Sequence, residues 1–331
     1  MNLLEMPDAR PLNRSTPIAR ELVHRTALAE VLLTDVRPEP GRAHTFTVAA
    51  QWARSHPTFD RAGDGRHNPL MVAETMRQLG ICVPLQFYAV PADSHFLIEE
   101  LHFAVDPAAE PRAQYGGSEI TCRVEAEPLE AEHRHDHAGA HGINAEKTDA
   151  HGFTPKVQRL RLGLRYFAGG REFGQADGIA RFLTPMAYET VRSRRRSAAV
   201  SDESGLTTTP RPATDNPSLV GLAQHEDLLI ALDPTGRTLL LPADSFHPFF
   251  YDHFSDHVPG MVLIEAVRQA AVRQAAEPDW RMTACALRAL CFTEPAPPAE
   301  IVCEIDDRVA AFEVRQFGNP TATGTLTFEE R

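Results

Sequence analysis

Two stretches of this chain carry the same polar residues at the same spacing, 191 residues apart. His56-Pro57 is followed by Glu74, Arg77 and Gln78 in "MVAETMRQLG", and His247-Pro248 is followed by Glu265, Arg268 and Gln269 in "VLIEAVRQAA". An apolar helix pattern recurs easily by chance. A His, a Pro, a Glu, an Arg and a Gln recurring in register within it imply a duplicated unit. The 331 residues then divide into a first unit over 1–185, a linker over 186–218 rich in Ser, Thr, Pro and charge, and a second unit over 219–331, each long enough to bury its own core.

Each copy reads as one long helix followed by β-type runs. In the first copy these are "HFLIEELHFAV", "SEITCRVEAE", "KVQRLRLGLRYFAG" and "EFGQADGIARFLT". In the second they are "RMTACALRALCFTE", "EIVCEIDD", "AAFEVRQF" and "ATGTLTFEE". Alternation of apolar and polar positions predicts strands with one wet face, and no helical pattern separates them. The expected class is α+β, each copy a central helix wrapped by antiparallel sheet.

Composition closes off several functions. A formal net charge of −12 disfavours a nucleic-acid binder, which needs a basic surface for phosphates. No apolar run reaches the roughly 18 residues needed to cross a bilayer, and "MNLLEMPDARPLNR" lacks the basic start and apolar core of an export signal. The expected location is cytoplasmic, with Cys82, Cys122, Cys285, Cys291 and Cys303 as free thiols, mostly buried. His133, His135, His137, His141 and His151 interrupt the first copy over 130–155. With Gly and Ala between them and no Cys, a solvated insertion is favoured over a zinc site, and no metal is assigned.

The second helix is apolar on most sides, yet Glu265, Arg268 and Gln269 stand at i, i+3 and i+4 and converge on one spot. A buried carboxylate and guanidinium need partners. An internal ion pair fixing the helix is one reading; a reactive site is the other, favoured by the loop "HPFFYDHFSDHVPG". That loop brings His247, Asp252, His253, Asp256 and His257 to the helix start at Pro259-Gly260, where free backbone amides suit an oxygen gaining negative charge. His56 and His247, each before a Pro, are equally explained as turn-shaping residues.

Two resemblances follow from these residues. His253-Phe254, four residues, Pro259-Gly260, then Glu265 resemble the hotdog-fold hydroxyacyl carrier-protein dehydratases, with a loop two residues shorter than that pattern. "ELVHRTALAEVLLTDV", "NPLMVAETMRQLG", "YETVRSRRR" and "HPFFYDHFSDHVPGMVLIEAVRQAA" together are similar to the A-factor biosynthesis (AfsA-like) family of γ-butyrolactone synthases, which have two hotdog repeats. This second resemblance implies a double-hotdog pseudo-dimer within one chain, with a monomer sufficient and a homodimer left open. It implies acyl transfer of a β-ketoacyl chain from an acyl carrier protein, or CoA, thioester to a hydroxyl of dihydroxyacetone phosphate, the ester then closing to a butenolide phosphate. No cofactor is implied.

The resemblance puts Glu74, Glu265 and Arg268 at the important helix positions. The expected catalytic set is Glu265, Arg268, Glu74 and His253, with Gln269, Arg77, Gln78, Asp252, His257 and Gly260 meeting substrate. Glu265, its pKa raised by burial, is expected to take the hydroxyl proton while amides near Gly260 hold the thioester oxygen and Arg268 grips phosphate or orients Glu265. Glu74 and Arg77 form a second half-site or the remnant of one. Arg192, Arg194, Arg195 and Arg196 offer a basic patch for an acidic carrier protein. A thioesterase or dehydratase, and a non-catalytic acyl or lactone binder, stay open beside the transferase.

Overall fold

The computed structural model describes residues 10–330 except 55, 57, 59–64, 113–114, 131–156, 201–210 and 242–246, and omits the side chains of 194–200. The His-rich stretch at 133–151 and the side chains of Arg194, Arg195 and Arg196 lie outside the described residues. In chain order the first half runs β1 (Leu33–Pro38), β2 (Thr45–Ala53), α1 (Leu70–Phe87), β3 (His95–Val105), β4 (Gly117–Leu129), β5 (Arg159–Ala168) and β6 (Arg171–Leu183). After α2 (Pro185–Val200) and the short β7 (Arg211–Pro212), the second half runs β8 (Ile230–Leu232), β9 (Thr238–Leu240), α3 (Gly260–Ala275), β10 (Trp280–Ala289), β11 (Glu300–Asp306), β12 (Val309–Gln316) and β13 (Asn319–Glu330).

The thirteen strands among the described residues join one antiparallel sheet in the order β1-β2-β4-β5-β6-β3-β10-β13-β12-β11-β9-β8-β7. Apart from β7 at the rim, the order is a mirror: each strand of the first half has its counterpart seven strands later, reflected across the β3·β10 seam. There Ala104 pairs with Ala284 and Glu100 with Arg288. This is the double-hotdog arrangement, and its duplication is written in the topology as well as in the helices.

Two strands precede each helix, β1 and β2 before α1, β8 and β9 before α3; a helix leading its sheet was the expectation. The β2 run "TFTVAAQWA" mixes Ala with β-branched and aromatic residues, weakening its strand signal, yet it pairs along its whole length with β4. The segment expected as linker holds α2, whose Ala, Glu and Arg content favours helix.

Both central helices are buried nearly all round, α3 from Met261 to Val272 without a break, as a helix wrapped by sheet requires. Their starts differ. In α1 the Asn68 side chain accepts the Leu70 amide at 2.9 Å, and the amides of Met71 and Val72 reach the carbonyls of Asn68 and Pro69. In α3, Pro259 is extended (ψ 147°) and no side chain caps the helix. The first amide returned to the chain is that of Leu263, to Pro259, so those of Gly260, Met261 and Val262 are left open.

Candidate active site

The two polar sets fold into nearly identical networks. In α1 the Arg77 guanidinium grips Glu74 with two donors, Nε to Oε2 and Nη2 to Oε1, both at 2.8 Å, and Nη2 also reaches the Val23 carbonyl at 3.2 Å. In α3 Arg268 grips Glu265 the same way at 2.8 and 2.6 Å and reaches Val220 at 3.2 Å. Gln78 donates to Glu74 and to the Glu30 carbonyl and accepts the Leu32 amide; Gln269 donates to Glu265 and to the Asp227 carbonyl and accepts the Leu229 amide. His56 meets Glu30 at 3.0 Å, and His247 meets Asp227 at 3.0 Å. The repeated histidines therefore tie the segment before each helix to the chain before it. Gln78 and Gln269, expected to meet substrate, are fully enclosed and spend both amide hydrogens and a carbonyl lone pair on protein.

One residue breaks the symmetry. Arg25, 7% exposed, adds a second guanidinium to Glu74, at 2.8 Å from Oε1, and its Nη1 donates to the Phe249 carbonyl at 2.8 Å. By the 197-residue offset that relates Val23 to Val220 and Glu30 to Asp227, its counterpart is Leu222. Burial pushes the Glu74 carboxyl up, but Arg25 and Arg77 outweigh it and hold it down at about 2. Glu74 is thus an ionised clamp between two arginines.

The cavities differ more sharply. Arg25 and Arg77 line a cavity of ≈ 460 Å³ that also takes in His253, His257 and the open start of α3 at Pro259-Gly260-Met261. Met76, Ile98, Leu101, Leu263 and Leu287 give it an apolar wall. Glu265 and Arg268 border a space of only ≈ 40 Å³, closed by Trp280, Arg281 and Met282. Arg281 is itself held by Glu110 and the His67 carbonyl. A hollow of ≈ 500 Å³ on β3–β6 is ringed by paired charges, Arg123 with Glu39, Arg165 with Glu172 and His102 with Asp177.

Of the residues singled out in the sequence, the structure brings Arg77, His253, His257 and Gly260 to the ≈ 460 Å³ cavity, with Glu74 directly behind Arg77. It places Glu265 and Arg268 at the small one. Asp252 turns to the first half, accepting the amides of Thr26 and Ala27 at 2.5 and 2.9 Å. With the Arg25–Phe249 bond, this fastens the loop before α3 to the segment after Val23. Arg192 does not offer itself to a carrier protein: its side chain is 1% exposed and is bound by Asp256 and Glu294.

Sequence reasoning missed Arg25 and His24. His24 sits edge-on to Phe96 with ring centroids 4.9 Å apart. Burial, then the charges of Arg77 and His253, lower its pKa to about 4, so both imidazoles near this end of the cavity are neutral at pH 7: that of His253 is lowered likewise, by burial first and then by Arg77 and Arg25.

Cys291 also lines the cavity and is the exposed one of five thiols; Cys82, Cys122, Cys285 and Cys303 are buried, and burial pushes Cys82 and Cys303 up to about 12. Native protein is expected to take up one equivalent of N-ethylmaleimide, at Cys291, slowed severalfold by a long-chain acyl ligand. Intact-mass and peptide mapping check this; two or more rapid equivalents, or no protection by ligand, count against the cavity as described.

The model of the A-factor biosynthesis hotdog domain matches residues 7–150 and 205–286. A 2-oxo-3-(phosphooxy)propyl 3-oxoalkanoate synthase from Streptomyces virginiae is 30% identical over 80% of this chain and 79% of its own length. One of the same name from Streptomyces griseus is 33% identical over 77% of this chain and 74% of its own length. Among solved structures, an acyl-ACP thioesterase from Bacteroides thetaiotaomicron aligns at a TM-score of 0.47 with 10% identity, covering 86% of this chain and 98% of that one.

Proposed function

We infer the reaction of this protein from one premise: the chain belongs to the A-factor biosynthesis hotdog family. It is a synthase of the acyltransferase type. It moves a β-ketoacyl chain from a carrier-protein or CoA thioester to a hydroxyl of dihydroxyacetone phosphate, forming the phosphorylated keto ester for which its relatives are named.

The observation that carries this reading is the composite built across the two halves. Two arginines of the first half and the open helix start of the second face one largely apolar cavity. The acyl chain lies along Met76, Ile98 and Leu263. The thioester oxygen, which gains charge as the acceptor attacks, sits at the amides of Gly260 and Met261, aided by the positive end of α3. Arg77, its Nη1 not spent on Glu74, meets the phosphate of the acceptor with Arg25 beside it. Glu74 holds both guanidiniums in place and takes no proton.

The active half-site is therefore that of α1. The α3 set, expected to be the reactive one, keeps the same bonds as a structural copy, since the space it borders, lined by Trp280 and Arg281, is only ≈ 40 Å³.

Purified protein incubated with a β-ketoacyl thioester and dihydroxyacetone phosphate is expected to give the phosphorylated ester and one free thiol per turnover, read by mass spectrometry. Unphosphorylated dihydroxyacetone is expected to react with a KM raised about tenfold or more, reflecting a lost charge-assisted contact. Free β-keto acid alone would make the protein a thioesterase. Tight binding of an unchanged thioester would make it a binder.

A further inference from the structure

The acyl-transfer reading needs a group to take the hydroxyl proton, and Glu74 is unfit for it. Beside the α3 start, His257 is held in a network the transfer has not yet used. Its Nδ1 lies 2.9 Å from Asp256 Oδ1 and 3.2 Å from the Tyr188 hydroxyl, which itself donates to Asp256 Oδ1 at 2.5 Å. Arg192 Nε donates to the other Asp256 oxygen at 2.9 Å and closes the network onto Glu294. His95 stacks on Tyr188 with centroids 3.7 Å apart, and Phe292 meets the His257 ring edge-on at 4.8 Å.

We propose that His257, oriented by Asp256, is the general base of the transfer, on the geometry of a cavity-lining imidazole whose Nδ1 is fixed on a partly buried carboxylate three residues before the open start of α3. An ionised carboxylate only accepts, so Nδ1 carries the proton and Nε2, the ring's other nitrogen, keeps its lone pair. Asp256 stays ionised: burial raises its pKa, but Tyr188, His257 and Arg192 together hold it well below the usual carboxylate range.

Nε2 takes the hydroxyl proton as the acceptor oxygen bonds to the thioester carbon. The tetrahedral oxyanion rests on the α3 amides. As it collapses the C–S bond breaks, and Nε2 returns the proton to the departing sulfur, giving ester and thiol with the imidazole regenerated. Among the described residues, no carboxylate is hydrogen-bonded to the ring of His253 as Asp256 is to that of His257.

The groups facing His257 are Asp256 on its own loop, Tyr188 and Arg192 on α2, Glu294 after β10, and His95 on β3. Burial lowers the imidazole pKa first, and Asp256 partly restores it. The rate therefore rises with pH through a value below the ordinary 6.5 or so of His.

The test is His257→Gln in the full-length protein, with Asp256→Asn as the second variant. H257Q is expected to lose about 10²- to 10⁴-fold in kcat, while its melting temperature and its affinity for a non-reactive acyl thioether stay near wild type. D256N is expected to lose kcat by about tenfold or more and to shift the acid limb of the pH profile downward, since the raising charge is gone. Ester formation by H257Q within about threefold of wild type, or an unmoved acid limb in an active D256N, overturns the assignment. The two readings separate cleanly: if wild type releases only free acid and H257Q stops that release, the base stands while the acceptor falls.

Discussion

Glu74→Gln is expected to cut ester formation by about a hundredfold or more, whereas Glu265→Gln, measured per folded molecule, stays within about threefold of wild type. Both changes remove a buried carboxylate from its arginine, so each costs stability, roughly 3–5 kcal/mol by the usual behaviour of a broken buried pair. They differ in what the arginines do next. Around Glu74 the freed groups are Arg25 and Arg77, which line the ≈ 460 Å³ cavity, and Arg25 also fastens the Phe249 carbonyl in the loop leading to α3. Around Glu265 the freed Arg268 faces a space of only ≈ 40 Å³, about the volume of one water molecule.

Assays run at a temperature where circular dichroism shows both variants folded remove the shared stability term. Arg25→Leu, which copies the Leu222 of the second half, is the companion variant. It leaves the Glu74–Arg77 pair as whole as Glu265–Arg268 and is expected to lose activity with a smaller stability cost. If E265Q is the inactive variant and E74Q the active one, the reacting half-site lies on α3 and the assignment made from the cavities is wrong.

The helix polar set was legible because its residues are local: Glu, Arg and Gln at i, i+3 and i+4 meet wherever the helix forms. What holds them was partly hidden by a change of offset. Val23, Glu30 and Leu32 correspond to Val220, Asp227 and Leu229 at 197 residues, whereas the histidines and helices repeat at 191, because Glu30 and His56 are 26 residues apart and Asp227 and His247 only 20. A search at the second offset finds "ELV" against "SLV" and would have exposed both carbonyl acceptors and the Arg25/Leu222 difference. Which half is open was not legible. It depends on Trp280 and Arg281 lining one space while Ile98 and Phe96 border the other, a contrast made by strands far from the helices in sequence. Arg192 was misread for a related reason: within "VRSRRR" its charge looks like a solvated run, and only the fold brings Asp256 and Glu294 to it.

That buried arginine carries the other large expected effect. Arg192→Met should destabilise the protein by about 3–5 kcal/mol at pH 7, because it takes the guanidinium from two carboxylates rather than one. Arg192 makes four hydrogen bonds, to Asp256 Oδ2 and the Asp256 carbonyl and to both oxygens of Glu294, with its guanidinium carbon 4.7 Å from the Phe292 ring centroid. Methionine restores some of the packing and none of the charge. The sign with pH follows from Asp256, whose folded pKa is depressed: the stabilisation is present above its unfolded value and is lost as pH falls through the folded one.

In the variant the share of that depression supplied by Arg192 is gone, so the stability gap between wild type and R192M should be full near neutrality and narrow as pH falls below about 4, the unfolded value of Asp. Urea unfolding at several pH values measures it. A gap that is small at pH 7, or that widens on acidification, would mean that α2 is not anchored through this ion network, and the fixed orientation of His257 by Asp256 would lose its support.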